Sequence, residues 1–299
     1  MILTRLRDWL PGQHPSEPAA VAAPAIASRG QGAQPGEVWP PERLAITDAL
    51  WGDGHGIPGG EEEVLRLARP LGLSGACSVL LLGGGAGGAA RCLAERLGTW
   101  VGGFECDATV VAAATRHCTG AGLGKRARIE QWNPAKPRFA ARYYHHALAL
   151  EPLRLGDAAE IIPALADALR PGSNLVITEV VDVGDAAAGT SIAATSIADW
   201  LRVERRVMPP TASVVTGALE RLGFDIRVIE DITQRHVRLA ALGWRGLVQG
   251  IGAARPTPAR AAHLVAEIEL WLLRARLMQA GRIRLLRWHA IGREAEIPL

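Results

Sequence analysis

From Leu80 to Gly88 the chain reads LLLGGGAGG, with five glycines in the six residues from Gly83 to Gly88. A turn of this kind between an apolar strand and a helix brings backbone N–H groups and a helix N-terminus up to a ligand, and side chains there would block the approach. Two spacings are satisfied at once. Gly83, Gly85 and Gly88 fit the GxGxxG of nicotinamide and flavin enzymes, while Gly83, Gly85 and Gly87 fit the GxGxG of S-adenosylmethionine enzymes. The loop alone does not choose between these cofactors.

Other residues stand where such a ligand would reach. Glu105 follows the strand-like run WVGGF, 22 positions beyond Gly83. A carboxylate there can accept hydrogen bonds from two ribose hydroxyls, or it is a solvated acid at a strand end. Asn133, in EQWNPAKP, offers a side-chain carbonyl to an adenine amino group, or it shapes an Asn-Pro turn. Glu151, directly after HHALAL, is the first candidate for a catalytic group facing an acceptor, and His55 in WGDGHGIPGG is the second. Glu179 and Asp182, after the fifth strand, are further candidates for lining that pocket. Trp51, Trp200, Trp244 and Trp271 include possible members of an aromatic wall, although core packing explains tryptophans more cheaply.

Positioning these groups requires an alternation of strands and helices. Ser78–Leu82 reads as a strand and Ala86–Leu97 as a helix stopped by Gly98. Asp107 or Thr109 caps the next helix, and ARIEQW and HHALAL read as strands three and four. A helix containing Pro163 then leads to the turn and strand of LRPGSNLVITEVV. Residues 182–210 read as a loop. TASVVTGALERLGFDIRVIEDI reads as a helix and strand, Ala259–Gln279 as a long helix and RIRLLRWHAIG as a closing strand. The pattern predicts a Rossmann-like three-layer α/β/α sandwich on a mostly parallel seven-stranded sheet with an antiparallel C-terminal strand. It also predicts a flexible segment over residues 1–41, rich in Ala, Pro, Gly and Gln, before a domain over 42–299.

Bulk properties narrow the function. A net charge of +3 with scattered arginines lacks the basic stripe of a nucleic-acid binder. No window of about 18 apolar residues predicts a membrane span. The four cysteines form no CxxC pair, so reduced thiols in a cytoplasmic protein are expected, with neither a disulfide frame nor a metal site.

Taken in order, WGDGHGIPGG, LGGGAGG, GGFE, LADALRPGSNLVITE and the tail segments LERLGFDIRVIEDIT and EIELWLLRARLMQAGRIRLLRWHAIG resemble the class I S-adenosylmethionine-dependent methyltransferases. The likeness is to the small-molecule branch containing phosphoethanolamine and glycine/sarcosine N-methyltransferases, and it runs from about Arg43 to the C-terminus. It implies S-adenosylmethionine as cofactor and a small-molecule acceptor, with an amine favoured. It further implies that Gly56 and Ile57 contact the methionine end, that Gly83, Gly85 and Gly87 line it, that Glu105 holds the ribose and that Asn133 faces the adenine. The sequence also departs from that pattern. Leu81 stands where the first motif usually has an acid, Gly84 where cysteine is common, Asn133 where aspartate is usual, and no tyrosine lies between Trp39 and Trp51. These departures keep open a second reading, a catalytically silent binding or assembly module on the same fold. A nicotinamide oxidoreductase is third.

Overall fold

The computed structural model describes residues 39–184, 192–251 and 256–293, without the side chains of 192–196 and 251. Residues 1–38 of the expected flexible segment lie outside the described residues. The chain enters through α1 (Pro41–Trp51) and α2 (Gly60–Ala68), neither of which was read from the sequence. The alternating core follows as β1 (Ser78–Leu82), α3 (Gly88–Leu97), β2 (Trp100–Glu105), α4 (Ala108–Gly120), β3 (Ala127–Gln131), β4 (Tyr144–Leu150), α5 (Ala158–Ala168) and β5 (Leu169–Asp182). Next come α6 (Ile192–Glu204), α7 (Ala212–Arg221), β6 (Asp225–Asp231), α8 (Thr233–Ile251), α9 (Pro258–Gln279) and β7 (Ile283–Ile291).

The sheet order is β3-β2-β1-β4-β5-β7-β6, with parallel pairs through β5 and β7 antiparallel to both its neighbours. This is the predicted architecture. Alternation along β1 shows how it is covered. Val79 and Leu81 enter the core shared with α2, α3, α6 and α9, whereas Leu80 and Leu82 enter the core shared with α5 and α7. With both faces covered, β1 reads as one apolar run. A third cluster, of Ile46, Leu50, Trp51, Ala240, Trp244, Leu247, Leu264 and Ile268, packs α1, α8 and α9 together.

Two expectations need correction. Residues 182–210 are not a loop throughout, because α6 buries Ile197, Trp200 and Glu204 at helical spacing. The fifth strand also begins earlier than the predicted turn. Leu169 already pairs with Tyr144, and the register then shifts so that Asn174 pairs with His146, with Gly172 at φ +73° absorbing the irregularity. Pro163 stands inside α5, beyond its first turn.

Candidate functional site

A cavity of about 290 Å³ opens at the carboxyl ends of β1, β2 and β4. This is the edge at which open α/β sheets bind ligands. Gly83, Gly85, Glu105 and Trp132 line one part of it, and Trp51, His55, Gly56 and Ile57 another. Glu151, Arg154, Glu204, His236, Trp271 and Arg274 line the part beneath α9.

The glycine loop is shaped by the protein's own backbone as well as by the cavity. A Cβ on Gly83 would stand 2.2 Å from the Leu150 carbonyl oxygen, one on Gly85 2.6 Å from the Gly56 nitrogen, and one on Gly87 2.9 Å from the Ala114 carbonyl oxygen. Gly83 and Gly85 face the cavity. Gly87, at φ +97°, is the N-cap of α3 packed on α4 and lies outside the cavity wall. The segment from Trp51 to Gly60 lies directly on the loop, with the Gly88 N–H donating to the Gly54 carbonyl at 2.8 Å. Asp48 holds that segment by accepting the Gly54 N–H at 2.8 Å, and Arg91 holds it through Asp53 at 2.8 Å.

Gly54 is fixed tightly by this arrangement. Its φ is +75°, and a Cβ would meet both Ala86 O and Gly88 N at 2.7 Å. Gly54→Ala is therefore expected to cost at least the ~1–3 kcal/mol of a strained backbone position. Thermal unfolding should show it as a clearly lowered Tm; an unchanged Tm would mean that this clasp does not exist in solution.

Glu105 is half-buried at the end of β2, and its Oε1 accepts the Gly85 N–H at 2.7 Å. Burial pushes its pKa up to about 7 against the pull of that hydrogen bond and of Arg154. Asn133 is exposed and outside the cavity wall; its Oδ1 accepts the Ala135 N–H at 3.0 Å, closing a local turn. Its neighbour Trp132 faces the cavity instead. Asp107 caps α4 as expected, accepting from the N–H groups of Thr109 and Val110.

Glu151 sits in a left-handed conformation (φ +49°) and belongs to a buried ionic cluster. Its carboxylate accepts from Arg274 and from Arg206 at 3.2 Å, while Arg206 also reaches Glu179 at 3.0 Å and Arg274 reaches Glu204 at 3.4 Å. Burial alone would raise the Glu151 pKa, but the two guanidiniums hold it well below the usual carboxylate range. Glu179, fully buried and behind the cavity wall, is pushed up to about 7 by burial and by the charge of Glu151. Asp182 pairs with Arg282 and does not reach the cavity.

His55 is buried against the cavity, burial and then Arg91 lower its pKa, and its Nδ1 has no hydrogen-bond partner. Two further orphaned atoms belong to residues that sequence reasoning missed, Glu204 Oε2 and His236 Nε2. His236 is 8% exposed and tilted against Trp271 at 5.7 Å, and burial followed by Arg274 lowers its pKa to about 3. The signal existed: ITQRHVRLAALGWRGLV carries a helical period that places His236, Ala240, Trp244 and Leu247 on one buried stripe. Among the four tryptophans, Trp51 and Trp271 meet edge to face at 5.0 Å on the cavity wall, while Trp200 and Trp244 are fully buried in the core.

No protein-family model and no curated protein matches the chain. Solved structures do. Phosphoethanolamine N-methyltransferase 2 of Haemonchus contortus, in complex with S-adenosyl-L-methionine, is similar over 84% of this chain and 57% of its own, with a TM-score of 0.73 and 17% identity. This chain thus spans little more than half the length of that protein. Geranyl diphosphate C-methyltransferase of Streptomyces coelicolor A3(2) is similar over 84% and 92% of the two chains, with a TM-score of 0.62 and 13% identity. The [4+2]-cyclase SpnF is similar over 85% and 92%, with a TM-score of 0.62 and 19% identity. The chain has the fold of the S-adenosylmethionine-dependent methyltransferases. Among the described residues, no helix is long and apolar enough to cross a membrane.

Proposed function

We propose that this protein transfers a methyl group from S-adenosylmethionine to a small-molecule acceptor, with an amine favoured. One observation carries the choice of cofactor. The Gly88 N–H is taken by the Gly54 carbonyl and the Gly85 N–H by Glu105, so two of the N–H groups that would cradle the pyrophosphate of a dinucleotide at the start of α3 are already engaged. A nucleoside sulfonium needs no such cradle. It needs a ribose acceptor and a walled cavity, and Glu105 with Gly83, Gly56 and Ile57 supplies both.

In this reading Glu105 holds the ribose, and Trp132, rather than the exposed Asn133, takes the adenine side. Bound S-adenosylmethionine supplies an electrophilic methyl group. The residues beneath α9 orient the acceptor, and the buried wall excludes water. Glu151 anchors Arg206 and Arg274 rather than receiving a proton, because its carboxylate is already held by both. The orphaned Glu204 Oε2 demands a donor, which an amine provides, and the Trp51–Trp271 pair offers an aromatic face to it. His55, buried on the cavity wall with an Nδ1 that has no hydrogen-bond partner, is the candidate to accept a proton. A cytoplasmic location fits the reduced thiols expected of the four cysteines.

Calorimetric titration tests the proposal. S-adenosylmethionine and S-adenosylhomocysteine should both bind and NADH should give no heat; binding of NADH alone would overturn it. The fold alone leaves room for the silent module, which Leu81 favours. Binding of both adenosyl ligands without methyl transfer to any of a panel of amine, hydroxyl and carbon acceptors would favour that reading.

A pH dependence follows from Glu105. Its ionised form accepts from ribose hydroxyls, and below about pH 7 the free protein holds it protonated. Affinity for S-adenosylhomocysteine should be flat above pH 7 and fall by up to about tenfold per unit below it. Glu105→Gln should flatten the profile; an unchanged slope in that variant would assign the titration to another group.

A further inference from the structure

We propose that Asp48 replaces the absent acid of β1 and receives the ammonium group at the methionine end of the ligand. The inference rests on the reading that the ligand is S-adenosylmethionine. It starts from Leu81, which is 1% exposed and packs beneath the loop, where a Cβ on Gly84 would stand 2.7 Å from Leu81 Cδ2. Leu81 and Gly84 are thus complementary in shape, and β1 sends no charge into the cavity from this position.

Among the described residues, six carboxylates line the cavity: Asp48, Glu105, Asp107, Glu151, Glu204 and Glu267. Glu151, Glu204 and Glu267 are paired with arginines, and Glu204 Oε2, which keeps no partner, belongs to the cluster beneath α9 on the side read above as the acceptor's. Asp107 is spent on the N-terminus of α4, and Glu105 stands at the end of β2 on the ribose side. Asp48 remains. It is half-buried on α1, and among the described residues it forms no ion pair and takes one hydrogen bond, from the Gly54 N–H to Oδ1.

Its location fits the role. Gly54, which Asp48 holds, is bonded to Gly88, and Gly56 two residues on is pressed against Gly85. Asp48 is therefore tied through Gly54 to the glycine loop, on the side of the cavity that Gly56 and Ile57 line. Burial, with Asp53 nearby, makes its negative charge costly, against the pull of the Gly54 N–H and of Arg91. A cation seated there relieves that cost through a charge-assisted hydrogen bond.

The test uses the full chain, the variant Asp48→Asn and two probes. S-adenosylhomocysteine carries the amino-acid end, and 5′-methylthioadenosine has the same nucleoside without it. Asparagine keeps an oxygen for the Gly54 N–H, so the fold is preserved. Asp48→Asn should bind S-adenosylhomocysteine about 10–100-fold more weakly and 5′-methylthioadenosine as tightly as the parent. Equal losses for both probes, or no loss for either, would overturn the role of Asp48 while leaving the cofactor reading intact. Failure of the parent chain to bind S-adenosylhomocysteine would overturn both.

Discussion

Glu105→Ala should weaken binding of S-adenosylhomocysteine at least about 100-fold, the scale expected for losing charge-assisted hydrogen bonds together with a local brace. The substitution removes three things at once. Two are the hydrogen bonds that a ribose would donate to the carboxylate, and the third is the Gly85 N–H···Oε1 contact of 2.7 Å that fixes the loop in the free protein. Glu105→Gln separates them, because its carbonyl oxygen still accepts from Gly85 while the charge is gone, and it should fall between the parent and the alanine variant. Calorimetry measures the affinities. The ligand-induced rise in Tm, present in the parent and absent in the alanine variant, checks them independently. Unchanged affinity in Glu105→Ala would refute the ribose assignment.

The largest effect on stability is expected at Arg274. Its guanidinium is 5% exposed by residue and lies between Glu151 and Glu204, with Arg206 on the other side of Glu151. Arg274→Met leaves two buried carboxylates short of a cation, and breaking a buried pair from one side costs about 3–5 kcal/mol. For a chain of this size that corresponds to a fall in Tm of roughly 6–20 °C at about 2–4 °C per kcal/mol. The double variant Arg274→Met with Glu151→Leu should recover part of the loss, because removing a buried pair entirely costs less than orphaning one member. Equal melting temperatures for the single and double variants would show that the two charges are not coupled.

Much of the sheet was legible because its signals are local. β1 is an apolar run closed by glycine, Asp107 is a capping residue in the expected place, and Gly98 and Gly223 stop helices where the pattern ends. Glu105 could be placed by its distance from the loop alone. The rest depended on contacts between remote segments. Nothing near Glu151 in the sequence announces Arg206 or Arg274, which are 55 and 123 positions away. Asn133 and Gly87 illustrate the converse: both match a motif by position, yet local turn geometry and helix packing claim them. Helix α6 was overlooked because IAATSIADWLRVE offers few large apolar residues, so its period is carried by Ile197, Trp200 and the unexpectedly buried Glu204.

The contact between Arg43 on α1 and Glu267 on α9 joins residues 224 positions apart across the same cavity. At roughly 5–20 residues per second, a ribosome delivers the second partner about 10–45 s after the first. During that interval Ile46, Leu50 and Trp51 have no α9 to pack against, although the strands that form the cavity floor have already emerged. Among the described residues only β7, which closes the sheet between β5 and β6, is made after α9, so this cavity is completed late in synthesis and α1 keeps part of its apolar face uncovered until then.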